Sequence, residues 1–299
     1  LGALEQVLVV GGAVGEQHGA TGEVGVRIGR VRVTDIQASG PDERAPTNLE
    51  SALRYSGAPM VVLLVLLSLV SWMWIVVMAR DMYGSMTGAS AWMMTARWNA
   101  PHLLLLWAMW AVMMMAMMLP SASPMLLLYG VIARRSAQTS AGRRIYAFAG
   151  AYLIVWTVFS LGATALQRVL ASLLLFSPMM QISNAAFGAT LLVIAGVYQL
   201  TPLKLACLRT CQSPLQFLMS RWRNGLSGAF RMGLQHGAYC LGCCWALMLL
   251  LFVGGVMNLT VIAALTAFVA FEKLAPFGVY GARISGALLI IAGFWMIVR

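Results

Sequence analysis

The chain has 299 residues, of which 61% are hydrophobic and 10% charged, with a mean hydropathy of +0.82 and a formal net charge of +11. Globular chains carry about 25% charged residues, so a soluble fold is not expected. Only Lys204 and Lys273 are lysines, and the arginines sit in short blocks between apolar runs. That placement argues against nucleic-acid binding and for loop arginines that anchor membrane spans.

Residues 1–55 differ in character from the rest of the chain. They hold seven of the nine acidic residues and a glycine-rich stretch, GGAVGEQHGATGEVGVRIGRVRVTD, without a sustained helical or strand period. They read as a poorly ordered extramembrane extension, with at most a short strand at VGVRIGRVRV, and they open on Leu1, as a fragment or an alternative start would. They are given no functional weight. Residues 56–299 read as one helical transmembrane domain.

Charge-free runs lie at Met60–Ala79, His102–Ala133, Ile145–Gln167, Val169–Leu203 and Met232–Phe271. A helix needs about 20 apolar residues to cross the hydrocarbon core. Inside that core the backbone must satisfy its own hydrogen bonds. The expected fold is therefore all-α: a polytopic helical membrane bundle of about seven transmembrane helices. They fall near 60–79, 102–120, 145–167, 184–203, 236–256, 258–274 and 280–298, and six or eight spans fit the same pattern. Pro120 and Pro124 are expected to kink or end the second run, since proline removes a helical hydrogen bond.

Basic residues orient the spans. Arg44, Arg54, Arg134, Arg135, Arg143 and Arg144 fall on one side, with Lys204, Arg209, Arg221, Arg223, Arg231, Lys273 and Arg283. Arg80, Arg97, Arg168 and Arg299 fall on the other. The positive-inside rule then places the N-terminus and the 134–144 and 204–235 segments in the cytoplasm.

All five cysteines lie between Cys207 and Cys244, as CLRTC at 207–211 and CLGCC at 240–244. Helical neighbours are three or four residues apart. His236, Cys240 and Cys244 therefore share a stripe, with Cys243 beside it and Met248 a turn further on. Thiolates and thioethers select Cu(I) or zinc, and imidazole suits either. Cys207, Cys211, Cys240 and Cys243 form a candidate four-ligand zinc set. The plain alternative is that these cysteines are small apolar fillers. A further alternative is a thiol–disulfide oxidoreductase built on Cys240-x-x-Cys243, with Cys207 and Cys211 as shuttle pair. The cytoplasmic placement disfavours it, because disulfides are rare there.

Methionine supplies a second signal: fourteen of the 21 lie between Met60 and Met125. In WAMWAVMMMAMMLP, Met109, Met113 and Met117 make one stripe, with Met114 and Met118 beside it. Met78, Met82 and Met86 repeat the spacing, and Met93, Met94 and His102 come next in the outer loop. Methionine is an adaptable core filler, but thioethers also bind Cu(I) without deprotonation. Graded weak sites suit an ion that must move on. Thioethers outside and thiols inside would form an affinity gradient pointing inward.

Among other polar groups, Glu272 and Lys273 read as a snorkelling interfacial pair. Tyr198, Gln199 and Thr201 read as partners that orient ligands next to Cys207. There is no Walker-type loop, no paired carboxylates and no Ser/His/Asp set, so an enzyme is not the favoured reading.

The blocks WAMWAVMMMAMMLPSASPMLLLYG, YQLTPLKLACLRTCQSPLQF and GLQHGAYCLGCCWALMLLLFVGGVMNL, with the downstream EK pair, occur in that order. Together they resemble a bacterial family of uncharacterised integral membrane proteins predicted to bind metal. One group of that family is a copper chaperone for a bacterial tyrosinase. The resemblance covers about residues 60–298. It implies copper handling at Cys207, Cys211, His236, Cys240, Cys243 and Cys244, with the Met113–Met118 block and the PSASP turn in the same pattern. It implies a protein of the bacterial inner membrane that passes Cu(I) to a partner cuproenzyme, or transports it. Homo-oligomers are compatible with it. A structural subunit of a membrane complex is the remaining alternative.

Overall fold

A computed structural model of the chain describes residues 58–84, 99–135, 141–173, 182 and 184–298. The expectations for residues 1–55, and for Met86, Met93 and Met94, lie outside the described residues.

The described chain is built from helices. They are α1 (Ala58–Tyr83), α2 (Ala100–Arg135), α3 (Ala141–Ser172), α4 (Ala185–Leu200), α5 (Pro202–Gln212), α6 (Pro214–Arg221), α7 (Gly225–Gly254), α8 (Leu259–Leu274) and α9 (Gly278–Val298). Five of them, α1, α2, α3, α7 and α9, are long and apolar enough to cross a membrane. The pair α4 and α5, bent by 63° at Thr201, makes a sixth if it counts as one broken span. The expected span 258–274 is α8, a helix of 16 residues. The all-helical expectation holds, with five or six candidate spans.

The outer helices show what such a bundle presents to its surroundings. α1 exposes Val62, Leu66, Leu69, Met73 and Val77, and α9 exposes Ile284, Leu288, Ile291 and Trp295. An apolar outside around a polar-containing inside is compatible with a membrane protein.

Two departures from the sequence-based expectation shape the site. First, α2 does not end at its prolines but runs for 36 residues through Pro120 and Pro124. Each proline leaves the carbonyl four residues earlier without its helical donor. Trp72 of α1 supplies one substitute, its Nε1–H donating to the Ala116 carbonyl at 3.1 Å. The Ser123 hydroxyl supplies the other, donating to Pro120 O at 2.8 Å. The PSASP segment is thus helical and keeps its carbonyls satisfied. Second, the 204–235 stretch is not a loop. It folds as α5, α6 and the first turns of α7, so His236 sits well inside a helix of 30 residues.

Local caps set the breaks between helices. Thr201 ends α4 and begins α5, its hydroxyl accepting from Lys204 N–H at 3.3 Å, and Pro202 takes the first helical position. After α7 the chain turns at Gly255, whose φ of +94° suits glycine. Asn258 then caps α8, accepting from the Thr260 and Val261 amides.

The core gathers around α7. It packs closely on α3 and also meets α4, α5 and α8, while α9 lies along α4. Glycines permit the closest approaches. A Cβ on Gly233 would come within 2.9 Å of the Ala151 side chain of α3, and one on Gly286 of α9 within 2.9 Å of the Gly196 carbonyl of α4.

Candidate metal site

Four helices bring soft donors and one cation to one place. α2 carries Met118, α5 carries Cys207 and Cys211, α7 carries His236, Cys240, Cys243 and Cys244, and α8 carries Lys273. Cys240, Cys243 and Cys244 are each 1% exposed, Met118 is fully buried, and Cys211 is half-buried. All five cysteines are free thiols.

The thiols gather where α5 meets α7, with Cys211 beside Cys243 and Cys244 beside Cys240 and Cys243. Cys244 Sγ also lies 3.8 Å from Met118 Sδ, across 126 positions of sequence. Cys207 sits one step aside. Its sulfur lies against Gly242, where an added Cβ would come within 2.9 Å of it. The glycine inside CLGCC is thus what lets α5 close on α7, a role that its place in the sequence did not suggest.

The thiols also have local partners. Cys243 and Cys244 each donate to the Cys240 carbonyl at 3.0 Å. Cys240 Sγ shares a hydrogen bond of 3.2 Å with the Tyr152 hydroxyl of α3, which also donates to Met118 O. Lys273 Nζ donates to Cys240 Sγ at 3.0 Å and to Ser121 Oγ at 3.2 Å, and it lies 3.7 Å from Met118 Sδ.

Convergence stops short of a closed shell. Among the described residues, no group of three or more His, Cys, Asp or Glu side chains is placed to hold a metal ion. The four-cysteine zinc arrangement is therefore not assembled. Two of the thiols, Cys243 and Cys244, turn back to the Cys240 carbonyl instead. His236 is held away by rings. It stacks on Phe148 and Tyr152, meets Phe217 edge-on, and its buried Nδ1 has no hydrogen-bond partner among the described residues.

The methionine stripe is buried in the bundle. Met109, Met113, Met114 and Met117 are all fully enclosed. Of the block, it is Met118 whose sulfur reaches the cysteines. His102, expected in the outer loop, is instead in the first turn of α2 and 2% exposed.

The interfacial reading of Glu272 and Lys273 needs correction. Both side chains are buried, and they face different neighbours. Glu272 forms an ion pair of 2.7 Å with Lys204, which is itself fully buried. Gln199 ties this pair to Ser285, donating to both, and accepts from Lys204 Nζ. Lys273 points away from that pair, into the sulfur cluster. Buried charges need such partners, because an unpaired one is costly in a low-dielectric interior. Neither lysine was singled out as a site residue from sequence. The signal was there, since intramembrane charges are functional candidates by default.

The Tyr198 hydroxyl donates to the carbonyl of Gly242, the residue that Cys207 packs against. Gln199 serves the ion pair, and Thr201 the helix break. Below the cluster opens a cavity of about 210 Å³, lined by Cys211, His236, Cys240, Lys273, Ser121 and Gln212 among others.

The described chain is thus an all-helical bundle with apolar outer helices and a buried thiol–thioether cluster. Residues 107–296 match the PpoB2 family, described as a copper chaperone, and the chain belongs to that family. No curated protein and no solved structure matches the chain. Its role is thereby a copper-handling one.

Proposed function

We propose that the protein is a membrane copper chaperone that holds Cu(I) on sulfur from α2 and α7 and yields it to a copper-accepting partner protein. The contact of Met118 Sδ with Cys244 Sγ carries this reading. It joins the methionine-rich helix to the cysteine cluster, two features that the sequence keeps far apart. Cu(I) favours soft ligands and accepts a lower coordination number than zinc's tetrahedral four. A thiol and a thioether in contact suit the first ion better than the second.

The order of sulfurs supports a direction. Thioethers line α2 for about 14 Å from Met109 to Met118. Cys244 and Cys240 come next, then Cys243, and then the half-buried Cys211 at the cavity. Copper would enter along weaker ligands and wait on stronger ones beside the arginine-rich face. That face is the cytoplasmic one by the positive-inside rule, in a bacterial inner membrane. His236 also lines the cavity wall.

The test is metal content of the full chain purified anaerobically in detergent, wild type beside Cys240→Ser/Cys244→Ser. The wild type is expected to hold near-stoichiometric copper and the variant to lose it while remaining folded. Equal copper in both would sink the site. Zinc in place of copper would point to a structural centre instead.

A further inference from the structure

Lys273 is a lysine inside a nest of sulfur. It is only 5% exposed, and its ammonium has Cys240 Sγ at 3.0 Å, Ser121 Oγ at 3.2 Å and Met118 Sδ at 3.7 Å as near partners. The neighbouring carboxylate, Glu272, is committed to Lys204 on the other side of α8. Among the described residues, the cation therefore belongs to the sulfur site.

Charge counting gives it a use. Metals bind cysteine as thiolate. A Cu(I) ion on the thiolates of Cys240 and Cys244, with Met118 as neutral third donor, leaves one net negative charge. In a buried site such a charge must be balanced. Lys273 balances it, and the loaded site is neutral. With Zn(II) on the same ligands, the same lysine leaves one uncancelled positive charge, which the interior penalises.

We propose that Lys273 is a specificity-determining residue, a built-in counter-cation that matches the Met118–Cys240–Cys244 seat to a monovalent soft ion and against divalent ones. This rests on the copper reading of that cluster. The lysine is not a ligand, and it acts by fixing the charge that the ion must bring. Soft ligands alone do not provide that discrimination, because thiolates also suit zinc.

The experiment compares Cu(I), Ag(I) and Zn(II) binding to the full chain in detergent, by competition with chelators of known affinity. Wild type, Lys273→Met, Lys273→Arg and Met118→Cys are measured side by side. Lys273→Met should bind Cu(I) and Ag(I) at least about tenfold more weakly and Zn(II) more tightly. Lys273→Arg, which keeps the charge, should retain the wild-type order. Met118→Cys adds a third thiolate and so makes a neutral site with Zn(II) and Lys273. It should gain zinc at about one per chain, and it tests the charge rule even if Lys273→Met does not fold. An unchanged Cu(I)/Zn(II) preference in both Lys273→Met and Met118→Cys overturns the proposal while leaving the copper site standing. Failure of the wild type to bind Cu(I) or Ag(I) overturns the copper reading itself, and the proposal with it.

Discussion

Glu272 and Lys273 are adjacent in the chain and separate in their chemistry. Successive helical residues point about 100° apart, so Glu272 faces Lys204 while Lys273 faces Cys240. The first contact is structural, and its loss should be costly. Glu272→Leu strands the Lys204 ammonium in the interior and should cost about 3–5 kcal/mol. A lowered thermal midpoint in detergent would show it. The double variant Lys204→Met/Glu272→Leu should recover most of the loss, since a buried pair replaced whole by apolar side chains is nearly neutral. Equal destabilisation of single and double variants would mean that the pair does not set the stability.

At the scale of elements, the site depends on how closely α7 lies against α3. α7 brings the cysteines, and α3 brings Tyr152, whose hydroxyl meets Cys240 at 3.2 Å. Gly233 sets that spacing, because an added Cβ would come within 2.9 Å of Ala151 and closer still to the Phe148 carbonyl. Gly233→Leu should therefore push the helices apart, at a cost of about 1–3 kcal/mol for overpacking. Bound copper should fall with stability, as the two helices share the site. Retained copper at lowered stability would mean that α7, α2 and α8 hold the ion without α3.

At the scale of the whole molecule, a cavity lined by Cys211, Cys240 and Lys273 opens beside the thiol cluster. Cys211 is the half-buried thiol there, whereas Cys240, Cys243 and Cys244 are 1% exposed. A membrane-impermeant maleimide should therefore label Cys211 first, and from the cytoplasmic side only, in inside-out rather than right-side-out vesicles. Preloading with Cu(I) should slow that labelling if copper waits near the cavity. Faster labelling from the opposite side would invert the proposed orientation.

Much of the bundle was legible in the sequence because hydropathy and helical spacing are local. Charge-free runs of sufficient length mark the long apolar helices, and i,i+4 repeats put His236, Cys240 and Cys244 on one stripe. The helical 204–235 stretch was less legible, since its arginines and prolines have the composition of a loop. Continuation of α2 through Pro120 and Pro124 was not legible at all. It depends on Trp72, a donor on another helix, reaching Ala116 O.

By itself, then, the sequence determined that the chain is apolar with long helical runs, that its thiols cluster at 207–211 and 240–244, and that its thioethers cluster on the second run. Those are properties of neighbours along the chain. Only the tertiary structure decided that Met118 touches Cys244, that Gly242 admits Cys207, and that Lys273 rather than Glu272 faces the sulfur. Such contacts join residues on separate helices. They arise from how the whole bundle packs its glycines, whatever the distance in sequence, so no local pattern encodes them.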